Sequence, residues 1–292
     1  MTSPKSVVIP CERRPDVRAL IEEYAEALKS AAPGIGTHGL NNDDFRDSGL
    51  FGAAIERLRG QQAASMAAKR HFLECVLDQL KRSKRIKDFS FTRHGDRHDY
   101  RVNLNDGRTS IFEAKGCLDG NNTTIWTRPA DADEFVIWSL CQNPGSDPRL
   151  NAWSGIHTRI GAKIVAERTL VDGLIIWDMI CGTKGRPCPK LATDLARGTT
   201  LRNGKLVPPP CLYLFPRTVP DPRNNPNPKT RKLAEVGLLK ALYDAFRCAE
   251  SDVTEVGIEA RMQGADVERR TVLRRQGKRI TQSDWTVLKQ AK

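Results

Sequence analysis

The stretch from His98 to Lys115 constrains this chain more than any other. It reads His-Asp-Tyr-Arg-Val-Asn-Leu, then Asn105-Asp106-Gly107, then Arg-Thr-Ser-Ile-Phe-Glu-Ala-Lys. Two alternating runs joined by Asn-Asp-Gly specify a β-hairpin. Loop length decides its register. A two-residue Asp106-Gly107 loop sets Tyr100 opposite Glu113 and Asp99 opposite Ala114, which mixes apolar and charged side chains on both faces. A three-residue loop with a left-handed Gly107 pairs Leu104 with Arg108, Val102 with Ser110, Tyr100 with Phe112 and Asp99 with Glu113. One face then holds Tyr100, Val102, Leu104, Phe112 and Ala114, a core surface. The other gathers Asp99, Arg101, Asn103, Glu113 and Lys115. A slip of one residue moves every side chain to the other face, so the second register is predicted.

That register sets two carboxylates opposite each other with a lysine two residues further on. Facing carboxylates repel unless a cation sits between them. Mg²⁺ takes one or two carboxylates together with substrate phosphate, and it can polarise a phosphodiester and stabilise the leaving oxygen. Lys115 is placed to position or deprotonate the attacking water and to balance phosphate charge. The alternative is a surface hairpin whose charged residues form exposed ion pairs of little energetic weight. Asp96 also precedes the motif, but it falls in the Arg93–Arg97 turn, and Asp99 is preferred.

Charge narrows the partner. Lys and Arg number 47 against 35 Asp and Glu, a net charge of +12, and such a surface favours polyanions, nucleic acid above all. The remaining sequence reads as ordinary soluble protein. No run approaches the roughly 20 apolar residues of a membrane span, and the first dozen residues lack the apolar core of a secretory signal. A cytoplasmic location is expected. The 8 cysteines form no paired knuckle, so they read as small core residues; a zinc loop at Cys181 and Cys188 lacks a completing histidine.

Periodicity places further elements. Helices are predicted over residues 15–31, over 51–82 in two pieces, over 131–141, 153–167 and 229–249. Strands are predicted over 88–93, 99–104, 108–115, 173–179, 211–215 and 253–262, with 173–179 fully buried. The Gly34–Gly39 segment matches a phosphate-loop pattern by letter but follows a helix instead of a strand. Asp131, Asp133 and Glu134 read as a helix start, and His157 as a structural histidine.

Asp99, followed fourteen positions later by Phe112-Glu113-Ala114-Lys115, resembles the PD-(D/E)XK nuclease superfamily, which includes most type II restriction endonucleases. His98 stands where that motif has proline. The resemblance spans residues 65–180 and implies a core of a helix, a three-stranded meander, a helix and a further strand. It implies an added acidic residue on the first helix, for which Glu74 is the match. The fold class expected is α/β, a mixed central sheet flanked by helices with a helical N-terminal segment. Three regions are expected: 1–64 helical, 65–215 catalytic, and 216–292 with a basic tail.

The function implied is Mg²⁺-dependent hydrolysis of double-stranded DNA at a specific sequence, by Asp99, Glu113, Lys115 and Glu74, with Asp99 and Glu113 as metal ligands. Base readout calls for Arg, Asn and Lys side chains aimed into a groove. The candidates are Asn121, Asn122, Arg128, Arg149, Asn151, Lys184 and Arg186, with residues 269–278 as a phosphate grip. One catalytic set per chain and two DNA strands to cut suggest a homodimer. A structure-specific repair or recombination nuclease and a non-catalytic basic DNA-binding protein are the other readings.

Overall fold

The computed structural model describes residues 66–92, 98–115, 127–139, 156–177, 197–204, 206–207 and 209–288, together with Glu23, which is helical and exposed. The expected helix over 15–31 otherwise lies outside the described residues, as do the Gly34–Gly39 loop, the first helical piece after residue 51, Asp96, Cys181 and Cys188.

Helix α1 (Met66–Arg82) opens the described chain. Phe72, Leu73, Val76, Leu77 and Leu80 recur on one helical stripe and are buried, so the sequence period dictates the packing. The helix ends where Lys84 turns left-handed (φ 57). There the Arg85 amide donates to the Leu80 carbonyl at 2.8 Å and the Lys84 amide to Lys81 at 3.0 Å, a Schellman end. Lys81 and Arg82 in the last turn suit the helix dipole.

Strands β1 (Asp88–Phe91), β2 (Tyr100–Asn103) and β3 (Thr109–Lys115) form an antiparallel meander. The hairpin adopts the three-residue loop. Tyr100 pairs with Phe112 and Val102 with Ser110, the Leu104 amide donates to Arg108 at 2.9 Å, and Gly107 has φ 88.

Parallel strands β4 (Glu134–Ser139) and β5 (Gly173–Ile176) follow β3, with helix α2 (Ile156–Glu167) between them in sequence. β4 replaces the helix expected over 131–141. Its Phe-Val-Ile-Trp run is buried on both sides, the pattern of a central parallel strand. The acidic residues that mimicked a helix start bind elsewhere.

A two-stranded ribbon, β6 (Thr199–Thr200) and β7 (Leu206–Val207), stands apart from the main sheet. β8 (Cys211–Leu214) pairs antiparallel with β5 and parallel with β9 (Val253–Gln263). β10 (Asp266–Arg275), β11 (Lys278–Gln282) and β12 (Thr286–Val287) complete a ten-stranded mixed sheet. The sheet passes directly from β8 to β9, so residues 253–287 share one sheet with the meander. The helix expected over 229–249 contracts to α3 (Gly237–Ala245), preceded by a single 3-10 turn at Leu233–Glu235.

Two cores sandwich this sheet. α1 and α3 cover one face, packing on Tyr100, Phe112, Val136, Trp138, Ile175 and Leu212. On the other, Ile156, Ile160 and Ile164 of α2 pack with Ile111, Ile137, Leu174, Tyr213, Ile258 and Leu273. On the first face an aromatic file crosses neighbouring strands: Trp177 to Trp138 at 5.4 Å, Trp138 to Phe112 at 5.0 Å, and Phe112 stacked on Tyr100 at 4.9 Å. Such pairs add about 0.5–1.5 kcal/mol each beyond area burial.

Buried carboxylates tie the amino ends of the parallel strands to their surroundings. Glu134 accepts the Gly237 amide at 2.6 Å and the Leu238 amide at 3.2 Å, capping α3, and pairs with Arg108 at 2.8 Å. A Cβ on Gly237 would lie 2.4 Å from a Leu104 methyl, so any larger residue there would force the buried Leu104 side chain to shift. Asp172 accepts the Phe135 amide at 2.7 Å and pairs with Arg231 at 2.6 Å. Among the described residues, no helix is long and apolar enough to cross a membrane.

The Gly107 turn can be tested by itself, because nothing lies within 4 Å of a Cβ placed there. Gly107→Ala should cost about 1 kcal/mol through the left-handed backbone alone, and Gly107→Asn clearly less. Chemical denaturation checks this; equal stability of glycine and alanine would contradict the positive-φ turn.

Candidate functional site

β3 carries the centre because its two faces are buried against different partners. Phe112 points into the α1 side and Ile111 into the α2 side. Glu113 and Lys115 follow Ile111 on the second side, where Glu113 retains only 6% exposure. The face expected to be polar is therefore half core, and a surface hairpin of exposed ion pairs does not describe Glu113. The Lys115 ammonium pairs with Glu113 Oε1. A buried carboxylate facing a cation avoids the full cost of an isolated buried charge.

Asp99 lies where β2 leaves β3. Its amide donates to the Phe112 carbonyl at 3.1 Å, and its Oδ2 accepts the Ala114 amide at 2.7 Å. The side chain thus supplies the next rung of the ladder and sits beside the peptide that joins Glu113 to Lys115. The Asp99 and Glu113 carboxylates and the Lys115 ammonium thus lie around the Ala114 peptide, although the paired register begins at Tyr100 and Phe112 and does not include Asp99.

Glu74 is held on the other side of the sheet. Tyr100 Oη donates to Glu74 Oε1 at 3.3 Å, and burial, reinforced by the Glu74 charge, pushes the Tyr100 phenol up. Glu74 therefore meets the motif through Tyr100, the neighbour of Asp99, a link sequence reading missed because it spans 26 residues.

Among the described residues, no group of three or more His, Cys, Asp and Glu side chains could hold a metal ion. Two carboxylates, Asp99 and Glu113, suit a hard divalent cation that keeps water and phosphate in its shell; they do not suit a closed four-ligand zinc site.

Neighbouring charges take structural roles. Asp131 pairs with Arg101 at 2.5 Å, which holds its carboxyl below the usual range. Asp133 accepts the Thr109 amide at 2.7 Å. Arg128 donates to the Asp133 carbonyl and approaches Asp172 at 3.5 Å. Asn121, Asn122, Arg149, Asn151, Lys184 and Arg186 lie outside the described residues. In the expected phosphate grip, Arg269 is buried at 7% exposure, and burial lowers its guanidinium pKa.

His157 opens α2 on the same side of the sheet as Glu113, fully buried and stacked 5.8 Å from Tyr213. Comparison with protein-family models, curated proteins and solved structures gives no match.

Burial holds the His157 imidazole down at about 4, with Arg159 adding to the effect. The folded chain then refuses a proton that the unfolded chain accepts near pH 6.5. This histidine's contribution is complete above pH 6.5 and is lost as pH falls towards 4, by about 3 kcal/mol in all. His157→Phe should flatten that part of the stability–pH curve relative to the wild type. Parallel curves for the two proteins would contradict a buried neutral imidazole.

Proposed function

We propose that this protein is a metal-dependent endonuclease that hydrolyses DNA phosphodiester bonds at Asp99, Glu113 and Lys115. One observation carries the reading. The hairpin register delivers a Glu113–Lys115 pair, its carboxylate buried and its ammonium half-buried, to the carboxyl end of a parallel strand, with the Asp99 carboxylate hydrogen-bonded to the intervening Ala114 amide. Ligand sites in open α/β sheets favour that end of the strands.

Asp99 and Glu113 would hold Mg²⁺, which when bound polarises the phosphodiester and lowers the barrier to hydroxide attack. Lys115 keeps a cation at the centre to meet phosphate charge and to orient the attacking water. Burial of Glu113 against Ile111 and Ile137 excludes bulk water from one side and strengthens these interactions. Tyr100, clamped between Phe112 and Glu74, fixes the point where Asp99 leaves the ladder.

The specific form we favour is a type II restriction endonuclease acting on double-stranded DNA. Asn121 and Asn122 follow β3, Arg149 and Asn151 follow β4, and Lys184 and Arg186 follow β5. Their segments therefore depart from the carboxyl ends of the three parallel strands, and we assign base readout to them. Two copies of the chain, one per DNA strand, would supply both cuts.

Incubation of plasmid and long linear DNA with Mg²⁺ tests the proposal. Asp99→Asn and Glu113→Gln should each slow cutting by about 10³-fold or more, and Lys115→Met by about 10²–10⁴-fold. Discrete fragments from long DNA would support sequence recognition; an unstructured smear would favour a structure-specific nuclease. Near-normal cutting by Glu113→Gln, or no cutting by the wild type, would overturn the assignment.

A further inference from the structure

We propose that the duplex lies along the carboxyl edge of the sheet, from Lys115 on β3 to the β10–β11 turn, where Lys278 and Arg279 grip its phosphates. The inference rests on the nuclease reading for the identity of the polyanion, and it concerns strands beyond the meander and its motif.

Register links the two places. Glu113 pairs with Ile137, Ile137 with Leu174, Leu174 with Tyr213, and Tyr213 with Thr254. Arg275 reaches the end of this row, where its guanidinium donates to Thr254 Oγ1 at 3.3 Å. The catalytic row therefore crosses the sheet to the last residue of β10. Beyond Arg275 the chain turns through Gln276 and Gly277, both at positive φ (50 and 74), and Lys278 pairs back with Arg275. This tight two-residue turn closes at the edge to which β3 delivers Lys115.

Charge along the ribbon is unevenly spent. Arg270 pairs with Glu259 at 2.5 Å, and Arg274 lies 3.9 Å from the same carboxylate. Arg261 pairs with Glu268 at 2.8 Å, and Arg269 is buried. Glu250 accepts a hydrogen bond from Gln276 of the turn at 3.2 Å. Lys278 and Arg279 are exposed and meet no carboxylate among the described residues; Arg279 donates only to Gln282, at 3.1 Å. The uncompensated cations of the ribbon thus collect at its catalytic-edge end.

Distance fits one duplex. Five strand steps separate β3 from β10, which at the usual strand spacing is about 24 Å. That is about seven base pairs at 3.4 Å rise, so one straight duplex can meet both ends. The amino edge provides a matched control. β8 ends opposite Gly173, the first residue of β5, so the following loop leaves at the far edge and exposes Arg223 and Lys229.

Binding of a fluorescein-labelled duplex, read by anisotropy in EDTA over a salt series, separates the edges without requiring catalysis. Lys278→Glu/Arg279→Glu should weaken binding at least about tenfold at low salt and flatten the log–log salt slope by about 2, since each phosphate contact contributes about 0.9. Lys278→Gln/Arg279→Gln should give a smaller loss in the same direction, and guards against an effect of reversed charge on the fold. Arg223→Glu/Lys229→Glu, with the same change in net charge, should leave the slope unchanged. Equal losses at both edges, or none at Lys278 and Arg279, would overturn the edge path while leaving a cleaving wild type a nuclease. Loss at Lys278 and Arg279 without any Mg²⁺-dependent cutting would keep the path and remove the nuclease reading. A wild type that does not bind DNA would remove both.

Discussion

The register of the hairpin between Asp99 and Lys115 is the constraint on which the rest of the molecule depends. β3 is buried on both sides, so its even residues must be apolar enough for the α1 core and its odd residues must suit the α2 core. A slip of one position would drive Glu113 and Lys115 towards the aromatic file and turn Phe112 away from Tyr100 and Trp138. Gly107 makes the correct register cheap by accepting φ 88. Asp99 then extends the ladder with its side chain where the backbone of β2 departs. The same pairing fixes the sheet and the placement of the Glu113 and Lys115 side chains.

The two edges of the parallel strands are built differently. At the amino edge, buried carboxylates are fully engaged: Glu134 caps α3 and holds Arg108, and Asp172 binds Arg231 and the Phe135 amide. Burial pushes both carboxyls up, opposed by those hydrogen bonds and cations. Breaking such a pair leaves a buried charge, a loss of about 3–5 kcal/mol. The carboxyl edge carries the Glu113–Lys115 pair instead, with Asp99 beside it. Rigid anchoring at one edge gives the other a fixed frame for polar side chains.

Much of this was legible in the sequence where one short-range rule dominates. The meander, α1, β5, β8 and β9 follow from period, turn residues and apolar runs. The register followed from comparing two loop lengths. β4 was misread because Asp131, Asp133 and Glu134 imitate a capped helix start, whereas Phe135 to Trp138 needed two buried faces that only the finished sheet supplies. Glu134 does cap a helix, but one that begins 103 residues later, beyond any local pattern. Ile111 sits among polar neighbours on its face, so the second core beneath Glu113 was invisible until α2 was placed. The basic tail proved to be sheet, since its arginines find glutamate partners across β9 and β10.

The most direct measurement is the binding of Mn²⁺, an EPR-visible substitute for Mg²⁺, to the DNA-free protein. A bound ion is expected that Asp99→Asn and Glu113→Gln each release and that Lys115→Met retains, because the carboxylates would supply its ligands whereas the lysine would supply charge and orient the attacking water. Binding that survives loss of both carboxylates, or a wild type that takes up no Mn²⁺ at any attainable concentration, would contradict that expectation.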